Sequence, residues 1–146
     1  MYELMTMLRE KKDYPRMMVG SRCSGRTTAL ASDAVNVAIR NPESSILMVA
    51  PFHSTVLLLK QHVGAFLTGL GILTSRGSLG VTLPNNSRIA FLTEQQVPMN
   101  TRGYEFTDLY IDNMDYLKEP KRALELCQIC MNNQPTPLHI TATIEG

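Results

Sequence analysis

No stretch of this sequence approaches the roughly 18 consecutive apolar residues that a membrane-crossing helix requires, so no membrane partner is expected. The first residues, MYELMTMLREKKDYPR, lack the apolar stretch and small-residue cleavage site of a secretory leader, which favours an intracellular chain. Cysteine is scarce: Cys23, Cys127 and Cys130 are an odd number, which argues against a disulfide framework. Cys127 and Cys130 form a C-x-x-C, but no second ligand pair lies nearby, and a structural zinc site needs four ligands; they read as buried thiols on a helix. An excess of charge of one sign is also missing. Fourteen Lys and Arg against thirteen Asp and Glu leave a net charge of +1, which gives no global argument for binding nucleic acid. His53, His62 and His139 are scattered without metal spacing and read as structural or surface residues. No internal repeat, linker or low-complexity segment interrupts the chain.

What remains is an ordinary globular composition, 44% hydrophobic and 18% charged over 146 residues. That length fits one domain over residues 1–146, able to bury about two thirds of its unfolded surface. Leu4, Met7 and Leu8 have helical spacing, and Pro15 separates that helix from a short apolar run, Met17 to Val19, which reads as a buried strand. A glycine-bounded loop follows. Thr27 to Arg40 reads as a helix with Leu30, Ala34, Val37 and Ala38 on one face, ended by Asn41-Pro42. Ile46 to Ala50 is a second buried strand. The helix expected from Pro51 to Leu67 has Ser54 as its cap and Leu58, Leu59, Val63 and Phe66 as its buried face. Val81 and Leu83, the turn Pro84 to Ser87 and the strand Arg88 to Leu92 read as a hairpin entering the sheet. After a polar loop, Glu94 to Gly103, come a strand at Leu109 to Ile111, a helix at Pro120 to Met131, and a last strand at Leu138 to Thr143. Short apolar strands alternating with helices predict a three-layer α/β fold, with a mostly parallel five-stranded sheet covered by helices on both faces.

In such sheets the ligand sits beyond the carboxyl ends of the strands. Gly20, Ser21, Arg22, Cys23, Ser24, Gly25, Arg26, Thr27 and Thr28 lie after the first strand with the spacing G-x-x-x-x-G-[KR]-T. Between a strand and a helix, that spacing aims consecutive backbone N–H groups and the helix N-terminus at phosphate oxygens. Arg26 supplies a positive charge where lysine is usual, and the Thr27 hydroxyl is placed to ligate Mg²⁺. A strand-terminal aspartate holds that ion, usually through water, and Asp112 fills the position. Thr141 and Thr143 fall on the last strand near the same end.

Taken in order, SRCSGRTTALA, ILMVAPFHSTVLLLKQHV, NNSRIAFLTE, TRGYEFTDLYIDNMD and HITATIEG resemble the successive motifs of the ATPase domain of phage large terminase subunits, the DNA-packaging motors, within the P-loop NTPase superfamily. The resemblance runs across nearly the whole chain, and more distantly it extends to superfamily-two helicases. It implies ATP and Mg²⁺ as cofactors, with residues 20–28 holding the nucleotide and Thr27 and Asp112 the metal. It also implies that Arg22 senses the γ-phosphate and that Thr141, Ala142 and Thr143 couple hydrolysis to movement. The implied partners are double-stranded DNA and a ring of copies or other packaging components, in the cytoplasm of an infected bacterial host. Arg102, in the Arg-Gly-Tyr triplet, is a candidate for touching DNA or a neighbouring subunit, or for anchoring a loop.

Two departures bear on activity. Where terminases carry Asp-Glu, this chain has Asp112-Asn113, and an amide cannot take a proton; general-base help is typically worth about 10²–10⁴ in rate. Arg26 is wider than lysine and less able to slip between phosphates. Asp115 and Glu94 are the nearby carboxylates that could replace the base, and both read as solvated loop carboxylates. Terminases continue into a nuclease domain for which these residues leave no room. The expectation is an ATP-binding domain with weak or absent hydrolysis, assisted by Arg22, Arg26 and Asp112 if active. The alternatives are a degenerate ATPase fold acting as a DNA- or protein-interaction module, and a helicase lobe acting with a partner.

Overall fold

The computed structural model describes residues 16–20, 25–77, 80–97, 106–119, 121 and 139–145. The helices expected at Glu3 to Lys12 and at Pro120 to Met131, the loop residues Ser21 to Ser24, Arg102 and all three cysteines lie outside the described residues, apart from Lys121 at the start of the second helix.

Among the described residues, seven strands form one sheet: β1 (Arg16–Gly20), β2 (Ser45–Ala50), β3 (Ser75–Arg76), β4 (Gly80–Thr82), β5 (Arg88–Thr93), β6 (Asp108–Ile111) and β7 (His139–Glu145), in the spatial order β1-β7-β6-β2-β5-β4-β3. The first five in that order are parallel, and β4 and β3 extend the sheet antiparallel to β5. The sheet is thus mostly parallel, but wider than the five strands the sequence suggested. The extra breadth comes from a meander in which β3 is only two exposed residues long, too short for any hydrophobic period to register. Gly80 is required there, because a Cβ at that position would stand 1.8 Å from the Ile89 carbonyl oxygen.

The strands split their side chains by alternation. Ile46, Met48, Ile89, Phe91 and Tyr110 face α1 (Arg26–Arg40) and α2 (His53–Gly69), while Leu47, Val49, Ala90, Leu92, Leu109, Ile111, Ile140 and Ala142 face the other side. Among the described residues that second side is closed by Phe106, just before β6, and by Val97, Met114 and Leu117, from two 3₁₀ turns, η1 (Glu94–Gln96) and η2 (Met114–Tyr116), and their flanks. Burial on both faces explains the near-continuous apolar runs of the parallel strands.

α1 presents Leu30, Ala31, Ala34, Val35 and Ala38 to the sheet, a stripe at helical spacing with three alanines that let the helix lie close. α2 starts one residue before the expected cap: Phe52, in extended conformation, is the N-cap, and Ser54 lies inside the helix. Its buried stripe is Val56, Leu59, Val63 and Leu67. Leu58 falls about 100° around the helix from Leu59 and is exposed, and Phe66 is half-buried.

The NNSR segment works at the amino edge of the sheet. Asn85 donates its amide to the Ala38 carbonyl at 2.8 Å, Ser87 donates its hydroxyl to the Asn41 carbonyl at 2.9 Å, and Ser44 bonds Ser87 at 3.0 Å. These bonds satisfy carbonyls left open at the C-terminus of α1, which fixes that helix end against the β4–β5 turn.

Candidate functional site

The opposite, carboxyl edge holds the described ends of the expected phosphate loop, Gly20 and Gly25. β1 ends at Gly20 and α1 begins after Gly25, whose φ of +84° places it in the left-handed region that costs an L side chain about 1–2 kcal/mol. No acidic residue occupies the first turn of α1, so the positive end of a 15-residue helix stands uncompensated by its own side chains. Arg26 is half-buried, and among the described residues its Nη1 atom is buried without a hydrogen-bond partner. A buried guanidinium N–H of that kind is suited to an anion.

Between β1 and β6 lies β7, so the last strand separates the loop from the aspartate by one strand spacing on each side. Asp112 is fully buried, its N–H held by the Val49 carbonyl at 2.9 Å. Both of its carboxylate oxygens are engaged by threonines: Thr27 donates to Oδ2 at 2.7 Å and Thr143 to Oδ1 at 2.6 Å. Thr143 in turn accepts the Asn113 N–H at 2.8 Å. Three of the sequence's candidate positions, 85 and 31 residues apart from Asp112 along the chain in the case of Thr27 and Thr143, therefore meet at one buried carboxylate. Thr141, in register with Tyr110, is buried one pleat deeper, and Ala142 packs in the core on the opposite face. Thr28 is exposed and lies 3.4 Å from His62 Nε2.

Asn113 sits with φ and ψ both at 51°, caps η2 and is half-buried. The left-handed region tolerates asparagine better than other non-glycine residues, so the residue where a glutamate was expected also satisfies a backbone requirement. Glu94 is half-buried, and beyond the solvated carboxylate the sequence suggested it has backbone partners. Its two oxygens accept the N–H groups of Lys118 at 2.8 Å and Glu119 at 2.6 Å, clamping the segment after η2. It follows β5, two strands from β6 and four from β1, which at about 4.8 Å per strand puts its backbone on the order of 10 Å and 19 Å from theirs. Asp115 is exposed in the first turn of η2.

Among the described residues no group of three or more His, Cys, Asp or Glu gathers to hold a metal. The hard oxygens of Thr27 and Asp112 are the pair suited to a magnesium-type cation, which keeps several waters and takes only one or two protein ligands. A cleft of about 710 Å³ lies elsewhere, between α2 and the β3–β4 hairpin, with Lys60, Val63, Leu67, Arg76 and Phe91 among its walls. None of the described phosphate-loop residues, Gly20 and Gly25 to Thr28, lines it. The sequence did not reveal the Glu94 clamp or the 2.6 Å bond from the Tyr110 hydroxyl to Asp33 Oδ2, because neither pair has a spacing motif.

Compared by sequence, the chain matches no protein-family model and no curated protein. Compared by structure, it is similar to the ATPase domain of the large terminase of Thermus phage P74-26, with a TM-score of 0.67 and 15% identity over 99% of this chain and 68% of that one. The large terminase of bacteriophage HK97 superposes with a TM-score of 0.70 and 14% identity over 97% of this chain and 32% of its own. A large terminase from a further, thermophilic bacteriophage gives 0.65 and 13% over 98% and 37%. That thermophilic phage protein has also been solved in complex with ADP and with ATP-gamma-S. The fold is that of a phage large-terminase ATPase domain, and the chain spans about a third of the length of the last two terminases.

Proposed function

We propose that this chain is a terminase-like P-loop domain that binds ATP with Mg²⁺ between β1 and α1 and hydrolyses it weakly or not at all. The observation that carries the reading is the 2.7 Å hydrogen bond from Thr27 to the fully buried Asp112. The packing of α1 on the sheet brings a hydroxyl at the helix N-terminus and a strand-terminal carboxylate together across 85 residues of chain, and they form a donor set for a hard cation beside a phosphate.

Each residue has a task in this reading. The backbone from Gly20 to Gly25 and the N-terminus of α1 bind the phosphates. Arg26 offers its buried Nη1, unpaired among the described residues, to an anionic oxygen, and Arg22 contacts the terminal phosphate. Thr27 and Asp112 hold magnesium, which when bound neutralises phosphate charge. Thr143 fixes the rotamer of Asp112 and, through the Asn113 N–H, ties it to the backbone that follows. Among the described residues no proton acceptor is well placed: the Asn113 carboxamide cannot take a proton from water, Glu94 is occupied by two backbone amides, and Asp115 is exposed in η2. The partners that fit the reading are double-stranded DNA and further copies or other packaging components. Thr141 to Thr143 then transmit the state of the nucleotide to them.

Equilibrium binding of ATP in Mg²⁺ to the natural chain and to Thr27→Ala tests this. A loss of affinity of roughly tenfold or more in the variant is expected, given that bonds to charged groups are worth about 1.5–3 kcal/mol. Failure of the natural chain to bind would overturn it and leave a degenerate fold serving as a DNA- or protein-interaction module.

A further inference from the structure

α1 packs on the sheet through Leu30, Ala31, Ala34, Val35 and Ala38, and the three alanines among them specify its height above the strands only weakly. Two polar bonds to β6 and its end add what the alanines lack. One is Thr27 to Asp112, at the carboxyl edge. The other lies deeper: Tyr110, 1% exposed and two residues before Asp112 on the same face, donates its hydroxyl to Asp33 Oδ2 at 2.6 Å. Asp33 is six residues along α1 from Thr27, about 9 Å of helix, and Tyr110 is about 6.6 Å of strand from Asp112, so the two bonds fix one helix at two depths. The bonds from Asn85 and Ser87 already hold the C-terminal end of α1, and these two add restraints on its N-terminal half.

The hydroxyl is not needed for packing. Tyr110 sits among Leu30, Ala34, Met48 and Phe91 in an apolar cluster where phenylalanine would fill nearly the same volume. A bond of 2.6 Å to a carboxylate falls in the short, charge-assisted range, strong enough to resist sliding.

We infer that Tyr110 and Asp33 are a positioning pair that holds α1 at the height where the Thr27 hydroxyl and the Asp112 carboxylate together bind a divalent cation. The inference rests on the nucleotide-binding reading above. Neither residue touches the nucleotide; both act through the placement of Thr27.

The test is equilibrium binding of ATP to the full chain, measured once in Mg²⁺ and once in EDTA, for the natural protein, Tyr110→Phe, Asp33→Ala and Asp33→Asn, with the thermal midpoint of each recorded. The natural chain is expected to bind more tightly in Mg²⁺. Tyr110→Phe and Asp33→Ala should lose roughly tenfold of that gain, while their affinities in EDTA stay within about twofold of natural. Asp33→Asn, which keeps an oxygen acceptor, should retain most of it, and the double variant Tyr110→Phe/Asp33→Ala should be no worse than either single one. The inference is overturned if the variants lower the thermal midpoint yet keep the natural Mg²⁺ gain, or if affinity falls by the same factor with and without the metal, since either marks a purely structural pair. A natural chain that binds no ATP in either buffer overturns the nucleotide reading itself, and the pair's role with it.

Discussion

Thr143 donates its hydroxyl to Asp112 Oδ1 at 2.6 Å while accepting the N–H of Asn113 at 2.8 Å, so one side chain on β7 orients a fully buried carboxylate and anchors the backbone behind it. Replacing it with an isosteric valine leaves both groups short of a partner. Thr143→Val is expected to lower unfolding free energy by about 2–3 kcal/mol, because a charged acceptor is involved and the carboxylate has no access to water. Thr143→Ser should recover most of the loss. Urea unfolding of the three proteins checks the order.

Asn113 meets a backbone demand that a glutamate meets poorly. In its left-handed conformation a side chain other than Gly, Asn or Asp costs about 1–2 kcal/mol. Asn113→Glu should therefore be less stable than the natural chain by about that amount, and Asn113→Gly close to natural. If the nucleotide site is intact, Asn113→Glu should also raise single-turnover hydrolysis, toward the lower end of the about 10²–10⁴ that a general base supplies, because the strained backbone sets the carboxylate less well. Thermal unfolding together with single-turnover assays separates the two effects.

Glu94 is a structural clamp. Glu94→Gln removes the charge from two short backbone bonds and replaces one acceptor oxygen by a donor, facing the amides of Lys118 and Glu119. The expected cost is about 1–3 kcal/mol. Hydrogen exchange at residues 118 and 119 should speed up, whereas ATP affinity should stay within about twofold, since β5 is four strands from β1. A change in affinity as large as that of Thr27→Ala would return Glu94 to the site.

Most of the parallel core was legible because its strands are buried on both faces and read as unbroken apolar runs, Ile46 to Ala50 and Leu109 to Ile111 above all. The turn at Asn85 and Ser87 was legible as a turn, but its role was not: its polar groups serve carbonyls of Ala38 and Asn41, more than 40 residues away in sequence. Leu58 was misplaced because a run of three leucines gives no phase to a helix, and only packing chose Leu59. At the candidate site, spacing alone brought Thr27 and Asp112 into consideration together. It did not reveal that Asn113 is left-handed, that Thr143 bonds Asp112 directly, or that Tyr110 reaches Asp33, because each depends on a register between strands or on a helix height that no local pattern encodes.

On the proposed reading, the loop holds a phosphate which the opposite strand end is poorly equipped to cleave. The direct measurement is to mix the natural chain in excess with γ-labelled ATP and Mg²⁺, isolate the bound nucleotide over several hours, and determine how much is still ATP. Bound nucleotide recovered mostly as ATP, and absent from Thr27→Ala, is the predicted result. Rapid conversion of bound ATP to ADP, on the seconds timescale of working motors with k on the order of 1 s⁻¹ or faster, or no bound nucleotide at all, would contradict it.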